Sequence, residues 1–509
     1  MLDLITNKLS NIDFRIQDVA LLTLLLGPFY FVSKVYFYSS PDEYYYIFTA
    51  IRMAEGGAIT IPLASPLLRR WFVPTVYSNH YISPYPIGLS VLLALFYIMG
   101  GYRFMFFLNG IVGILTVIMT YFTAFEISKN RVCSLLSALL LGIMPPVVFY
   151  SRTLLRDPSS TLFLLLSFYL YLKASHRDKP SFYALASLSL GYALLIRYTN
   201  IVFVIPILIN HFRKRRDKPN SILLYYVFLL PFFVVIGLYN LYYFGDVFST
   251  GYHVFWSYHQ GGLVGRFNFL HLIFHLPQYF LILNIFPPLG LLTTLLYIRH
   301  KADEEAYILG LLVIISFLIF FSSYFLMTFD IEHLFIESSR HLQVILPYLC
   351  MNTIRWFQQQ IRRKQTFLGS FALVFIIFSG INIGIVVQQN AFLTRLADYQ
   401  DMFYTHTEPE SLIIGDRWHK LFETHISQTY EDRYYVIYAT LSENEMMEEL
   451  LPLIDSWMIE KSVYFVDDPY SNEEKHDFIL RLLMEHYRLN LVISTEQPYE
   501  IKLFELKKN

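Results

Sequence analysis

The feature that most constrains this chain is the recurrence of apolar stretches long enough to cross a bilayer, separated by short polar loops. A helix needs roughly 20 apolar residues to cross the hydrocarbon core. About eleven stretches approach that length on a hydropathy criterion, from Val19–Tyr38 to Phe367–Val387. Composition agrees: of 509 residues, 55% are hydrophobic and only 16% charged, whereas soluble domains carry about 25% charged residues. A disordered chain lacks this much apolar surface. A net charge of −1 gives no pull toward nucleic acid, so none is expected as a partner. Two cysteines exclude a disulfide scaffold and a cysteine-rich metal site. The chain therefore reads as an α-helical polytopic membrane protein of about 11 transmembrane helices, with membrane lipids as its surroundings.

Lysine and arginine set the expected orientation. Basic clusters near Lys129, Lys173, Arg213–Arg216, Arg299 and Arg362–Lys364 fall in alternate loops. They share one side if the N-terminus is cytoplasmic and the apolar stretch Pro86–Met99 lies in or on the membrane without crossing it. Met1–Asp18 lacks a small-residue cleavage site, so the first span reads as an uncleaved anchor. The expected domains are a transmembrane domain over 1–387, with a large first outer loop at 39–103, and an extracytoplasmic soluble domain over 388–509. In the latter, β-type runs at Ser411–Gly415, Tyr434–Tyr438, Val463–Val466 and Leu491–Ile493 alternate with helical stretches. Two of those helices open with capping boxes, Ser442 with Glu445 and Ser471 with Glu474. This alternation predicts a small α/β domain with a mostly parallel sheet. It has no glycine-rich phosphate loop, and no chemistry is assigned to it.

Carboxylates on the outer face are the candidates for chemistry. Asp42 and Glu43 follow the first span, and Asp157 lies between the third and fourth. Each has a structural reading. Ser40-Pro41-Asp42-Glu43 has the form of a capping box, with a helix running to Glu55 and stopping at Gly56-Gly57, and Asp157-Pro158 has the form of an N-cap. Capping and catalysis are not exclusive, because a free carboxylate oxygen can still face a cleft. Arg152 and Arg156 flank Asp157, Arg340-His341 opens a late span, and Arg197 ends the fifth. Such arginines suit a phosphate, which their planar fork can chelate, or a salt bridge to the neighbouring acid. Of the outer-loop histidines His253, His259, His271 and His275, the last two have the i, i+4 spacing that could bind zinc if a third ligand converged, but no His-Glu-x-x-His pattern accompanies them. Cys133 and Cys350 read as small buried hydrophobes.

The order of these segments resembles the polytopic type-C glycosyltransferases, as in protein O-mannosyltransferases and lipid A aminoarabinose transferases. The resemblance is carried by Asp42-Glu43, Tyr85-Pro-Ile-Gly-Leu-Ser, Ser151-Arg-Thr-Leu-Leu-Arg-Asp-Pro158, Tyr239–Asp246 with Gly251-Tyr252, and Ser339-Arg-His-Leu-Gln-Val-Ile-Leu-Pro347, over roughly residues 19–390. It implies inverting transfer of a sugar from a polyprenyl-phosphate carrier to a glycan, lipid or protein acceptor on the extracytoplasmic side. By that resemblance Asp42 is the base and Asp157 a second active-site acid, with Glu43 beside them. Arg340, Arg152, Arg156 and His341 would lie at the donor phosphate. No cofactor is required by this chemistry, and a divalent metal has no support: Ile82-Ser83 stands where aminoarabinose transferases have Glu-Lys. No two tryptophans are adjacent, so the Trp-Trp-Asp motif of oligosaccharyltransferases is absent. The rival readings are a transporter or flippase of a lipid-linked saccharide and an inactive envelope scaffold. The first should place ionisable groups near mid-membrane, whereas here they concentrate at span ends.

Overall fold

A computed structural model describes residues 2–32, 34–38, 40–62, 72–77, 80–177, 179–214, 223–259, 269–300, 305–324, 339–361, 363–415, 434–438, 441–467, 473–494 and 502–509. The chain forms two compact units, Met1–Lys34 with Pro86–Gln389 and Val35–Tyr85 with Asn390–Asn509. The first outer loop is therefore grouped largely with the C-terminal region, where the sequence reading counted all of 39–103 with the membrane part.

Helix α1 (Leu2–Phe31) opens the first unit and α2 (Pro41–Ala54) the second. Helices α3 (Gly88–Met105), α4 (Leu108–Ser128), α5 (Arg131–Gly142), α6 (Pro145–Ser151), α7 (Arg156–Arg177) and α8 (Pro180–Ile196) follow in the first. Among the described residues, four helices are long and apolar enough to cross a membrane, or six if each of two bent pairs counts as one span. Three shorter apolar helices accompany them. Among the described residues the expected count of about eleven spans is not reached by this measure, and proline accounts for part of the difference. Pro145-Pro146 open α6 and set it at 62° to α5, and the helices on either side of Pro287-Pro288 meet at 89°. A proline cannot donate to the preceding turn, so an apolar run containing a pair of them is built as two short helices.

Pro86–Met99, expected to lie in or on the membrane without crossing it, forms the first part of α3 (Gly88–Met105), which is long and apolar enough for a span by length and composition. The helix breaks at Gly100-Gly101, where Gly101 has φ +72°. At its other end Gly88 is required by close approach: a Cβ there would stand 2.5 Å from the Leu195 carbonyl carbon of α8. Tyr192 Oη donates to the Gly88 carbonyl across the same contact, at 3.0 Å.

Packing in this unit follows the rules of a lipid solvent, in which small side chains and internal hydrogen bonds hold helices together. Along α4, Thr116, Thr120 and Thr123 each return their hydroxyl to the carbonyl four residues back. Leu22, Leu26 and Tyr30 of α1 share one buried core with Val117 of α4, Leu140 of α5 and Phe168 of α7. One turn before Leu22 in α1, buried Asp18 accepts two bonds from Arg131, at 2.7 and 2.8 Å, and one from Tyr121 at 2.7 Å. One carboxylate thus ties α1, α4 and α5.

In the second unit, Ser40 caps α2 with extended backbone and Pro41 takes the first helical position. The expected side-chain capping box does not form. The Glu43 N–H bonds to the Ser40 carbonyl instead, at 3.1 Å, and the Glu43 side chain is buried. The helix ends as its sequence anticipates, with Glu55 at the C-cap and Gly56 at φ +70°. Strands β1 (Ile61–Pro62), β2 (Val73–Pro74) and β3 (His80–Ile82) then form a small antiparallel sheet in the order β1-β3-β2.

The C-terminal sheet comprises β4 (Leu412–Gly415), β5 (Tyr434–Ile437), β6 (Val463–Asp467), β7 (Tyr487–Ser494) and β8 (Lys502–Lys508), in the order β5-β4-β6-β8-β7. Strand β4 pairs in parallel with β5 and β6, but β8 runs antiparallel to both β6 and β7. The sheet is mixed rather than mostly parallel. Its β7–β8 connection is too short for a parallel crossover, which takes a dozen or more residues. The Ser442–Glu445 capping box is present, with bonds of 3.3 and 2.7 Å, whereas Ser471 lies outside the described residues.

Helix Glu473–His486 packs on this sheet through His476. Its Nε2 lies 2.9 Å from Asp467 Oδ1 at the end of β6, and its Nδ1 lies 3.7 Å from Asp477 Oδ1. The hydrogen bond that His476 donates to Asp467 holds the His476 pKa above the ordinary imidazole value, against the opposing effect of burial. A pKa raised on folding stabilises the fold fully below the unfolded imidazole pKa of about 6.5, and that stabilisation disappears as pH rises through the higher folded value. Amide exchange in Glu473–His486 is therefore expected to quicken as pH is raised across this window, after correction for intrinsic rates. His476→Gln should abolish that dependence, and equal behaviour of the two proteins would refute it.

Candidate active site

The sequence-predicted residues fall into two groups, one in each unit. In the first unit Asp157 is the centre. It lies in the first turn of α7, which begins one residue earlier at Arg156, and its side chain is turned to cations rather than used as a cap. Arg197 Nη1 stands 2.5 Å from Oδ1, and Arg340 Nε stands 2.6 Å from Oδ2. Asp157 is 1% exposed and Arg197 4%, so the pair is screened little by water. Arg197 passes on a second contact: its Nη2 is 2.5 Å from His341 Nδ1. A guanidinium has no acceptor, so His341 accepts there, which places the ring proton of its neutral form on Nε2. Phe321 backs both groups, stacking on His341 at 5.5 Å and lying under the Arg197 guanidinium at 5.1 Å. Arg156 is buried alongside, bonded to the Tyr252 hydroxyl and lying 5.4 Å over the Tyr252 ring.

Local structure explains the convergence. Asn109 of α4 donates to the carbonyls of Thr153 and Leu155 at 2.8 and 2.6 Å, and accepts from Ser159 at 3.1 Å, clamping the turn that leads into α7. Arg197 follows the last turn of α8 in extended backbone, φ −153°. Asn200, just beyond it, donates to Ser160 at 2.9 Å and to the Ala193 carbonyl at 2.7 Å. Both ends of the Arg197–Asp157 bond are thus pinned by buried amides. Arg340 and His341 head the segment that continues through Gln343–Ile345 into Leu346–Gln360.

Arg152, also a phosphate candidate, serves elsewhere. Its guanidinium donates to Gln389 Oε1 at 3.1 Å and to the carbonyls of Phe29 and Val32 at 3.2 and 3.1 Å, stitching α1 to the helix Lys364–His406.

In the second unit Asp42 occupies the first turn of α2 and is half-buried, whereas Glu43 is 1% exposed. Asp42 Oδ1 accepts a 2.6 Å hydrogen bond from the Tyr85 hydroxyl. The Tyr85 ring lies 5.1 Å from Tyr46 and 6.0 Å from Tyr45, and Tyr45 meets Phe72 edge-on at 4.7 Å. An aromatic wall thus flanks the carboxylate.

Sequence reasoning reached Asp157, Arg156, Arg197, Arg340 and His341 as separate candidates, and the structure brings all five together. It did not single out Tyr85, Phe321, Asn109 or Asn200. Tyr85 and Tyr252 lay inside motifs already noted, but nothing in the chain's order distinguishes a hydroxyl that meets a carboxylate from one that anchors a helix. Of the paired histidines, His275 is buried with Nδ1 at 3.0 Å from the Ser322 carbonyl, and the His271 side chain is outside the described residues. Among the described residues no cluster of three metal-binding side chains occurs.

A family model described as dolichyl-phosphate-mannose-protein mannosyltransferase matches residues 85–239, which include Asp157 and Arg197. The fold is similar to the crystal structure of ArnT from Cupriavidus metallidurans bound to undecaprenyl phosphate. The TM-score is 0.63 at 13% identity, covering 96% of this chain and 97% of that one. The apo state of the same protein matches with the same TM-score, identity and coverage. No curated protein matches the chain by sequence. The chain thus shares the fold of this polytopic membrane protein across nearly its whole length, and over residues 85–239 its sequence is similar to the dolichyl-phosphate-mannose-protein mannosyltransferase family.

Proposed function

We propose that this protein transfers a sugar, with inversion, from a polyprenyl-phosphate carrier to an acceptor on the extracytoplasmic side of the membrane, its N-terminus being cytoplasmic. The observation that carries the reading is the cluster of Arg156, Arg197 and Arg340 around the single carboxylate of Asp157, inside a fold similar to that of ArnT. Three guanidinium groups gathered about one acid suit an anionic ligand that is itself partly withdrawn from water. The fold's structural relative was solved with a polyprenyl phosphate bound.

The residues then take distinct roles. Asp42, half-buried at the head of α2, removes the proton from the acceptor hydroxyl. The acceptor oxygen bonds to the anomeric carbon as the bond from that carbon to the phosphate oxygen breaks, and the electron pair leaves with the phosphate. A phosphate is a stabilised leaving group, so no general acid is needed, unlike the pair of carboxyls in glycosidases. Arg156, Arg197 and Arg340 neutralise the charge that grows on the departing phosphate. Asp157, with a cation on each oxygen, orients the guanidiniums rather than donating a proton. His341 completes the set by fixing the second face of Arg197. No step calls for a metal or other cofactor.

The test is direct. Purified protein incubated with a panel of undecaprenyl-phosphate sugars and a mixed lipid and glycan acceptor pool should release undecaprenyl phosphate from at least one donor. Release from none, by protein that remains folded, would remove the reading in favour of transport or a scaffold.

A further inference from the structure

We infer that Tyr85 is a positioning residue for Asp42, its hydroxyl fixing the rotation of the carboxylate and holding it ionised. The inference rests on the reading of Asp42 as the base. Tyr85 Oη donates to Asp42 Oδ1 at 2.6 Å, within the range of hydrogen bonds to a charged acceptor, which are about twice as strong as neutral ones. The two residues are 43 positions apart, so this contact is made by the fold and not by local sequence. The donor is itself held. Its ring packs beside Tyr46 and Tyr45 of α2, and its backbone N–H bonds to Ser83 Oγ at 3.3 Å. Helix α2 therefore supplies both the carboxylate and two of the rings that aim the hydroxyl at it.

The consequence is chemical. A hydrogen bond to the ionised form favours that form, so the carboxylate stands ready to take a proton when the acceptor arrives. The same bond limits the rotation of a short, half-buried side chain in the first turn of α2. Efficient proton transfer depends on that placement.

The experiment follows carbodiimide and glycine ethyl ester labelling of Asp42 across the acid range, read by peptide mass spectrometry on the detergent-purified full chain. Tyr85→Phe keeps the ring and deletes the hydroxyl. Its labelling midpoint is expected to rise by about half to one pH unit, with Glu43 remaining unlabelled as the sign of an intact fold. Incorporation of 3-fluorotyrosine at position 85, a more acidic donor of nearly the same shape, is expected to move the midpoint the other way. If neither change moves it, Tyr85 does not govern Asp42 and the inference falls. Transfer in Asp42→Asn decides the underlying reading separately: activity retained there removes Asp42 as the base, whatever the labelling shows.

Discussion

Asp42→Asn is expected to slow sugar transfer by about 10²- to 10⁴-fold, the usual worth of a positioned general base, while leaving the fold intact. Asparagine keeps the shape of the side chain and an oxygen that can accept from Tyr85, and it is tolerated in the first turn of a helix. What it loses is the ability to take a proton. Because Asp42 is half-buried and outside the membrane helices, thermal unfolding in detergent should shift little. Carrier release measured under single turnover separates this loss from any change in donor binding. Glu43 is the instructive contrast. It is 1% exposed, so Glu43→Gln should show its effect in unfolding rather than in a selective loss of the chemical step. A variant Asp42→Asn that transfers within a few-fold of the parent would exclude Asp42 as the base.

The second large effect belongs to Asp157. Asp157→Asn leaves Arg197, 4% exposed, and its neighbour Arg340 facing one another across a neutral amide. Breaking a buried ion pair from one side typically costs about 3–5 kcal/mol, because the abandoned charge stays buried. Denaturant or thermal unfolding of the membrane unit should register a loss of this size, and transfer should fall as well, since the guanidiniums lose what orients them. Adding Arg340→Met to Asp157→Asn should return part of the stability without returning activity. That pattern distinguishes an orienting carboxylate from a proton donor, for which the first substitution would abolish transfer with little change in unfolding. Unfolding of Asp157→Asn at the parent's midpoint would contradict the pairing.

Much of this architecture was legible because lipid imposes strict rules on sequence. The apolar runs, the abrupt polar turn after Val387, the four strand cores of the C-terminal sheet and the Ser442–Glu445 box all follow from periodicity and capping chemistry. The failures have physical causes too. Hydropathy counts apolar length but does not sense a proline pair, so it read the bent pair Arg131–Gly142 and Pro145–Ser151 as one unbroken run. Strand β8 was missed because Lys502, Glu505, Lys507 and Lys508 make it read as a polar tail, although Leu503 and Leu506 are buried. At the site, charge at span ends marked the participants but not their partners. Arg152 and Arg156 are equivalent by sequence, four residues apart beside the same acid. Only the fold assigns one to carbonyls and Gln389 and the other to the cluster at Asp157.

The arginine-rich setting of Asp157 has a kinetic corollary for the proposed reaction. The incoming lipid is a phosphodiester with one negative charge, whereas the lipid left behind is a phosphomonoester, which approaches two at neutral pH. Three guanidinium groups gathered at that site would therefore hold the spent carrier more firmly than the loaded one. Turnover would then be paced by expulsion of that carrier into the bilayer, and added undecaprenyl phosphate should compete with donor at concentrations below those at which the donor saturates.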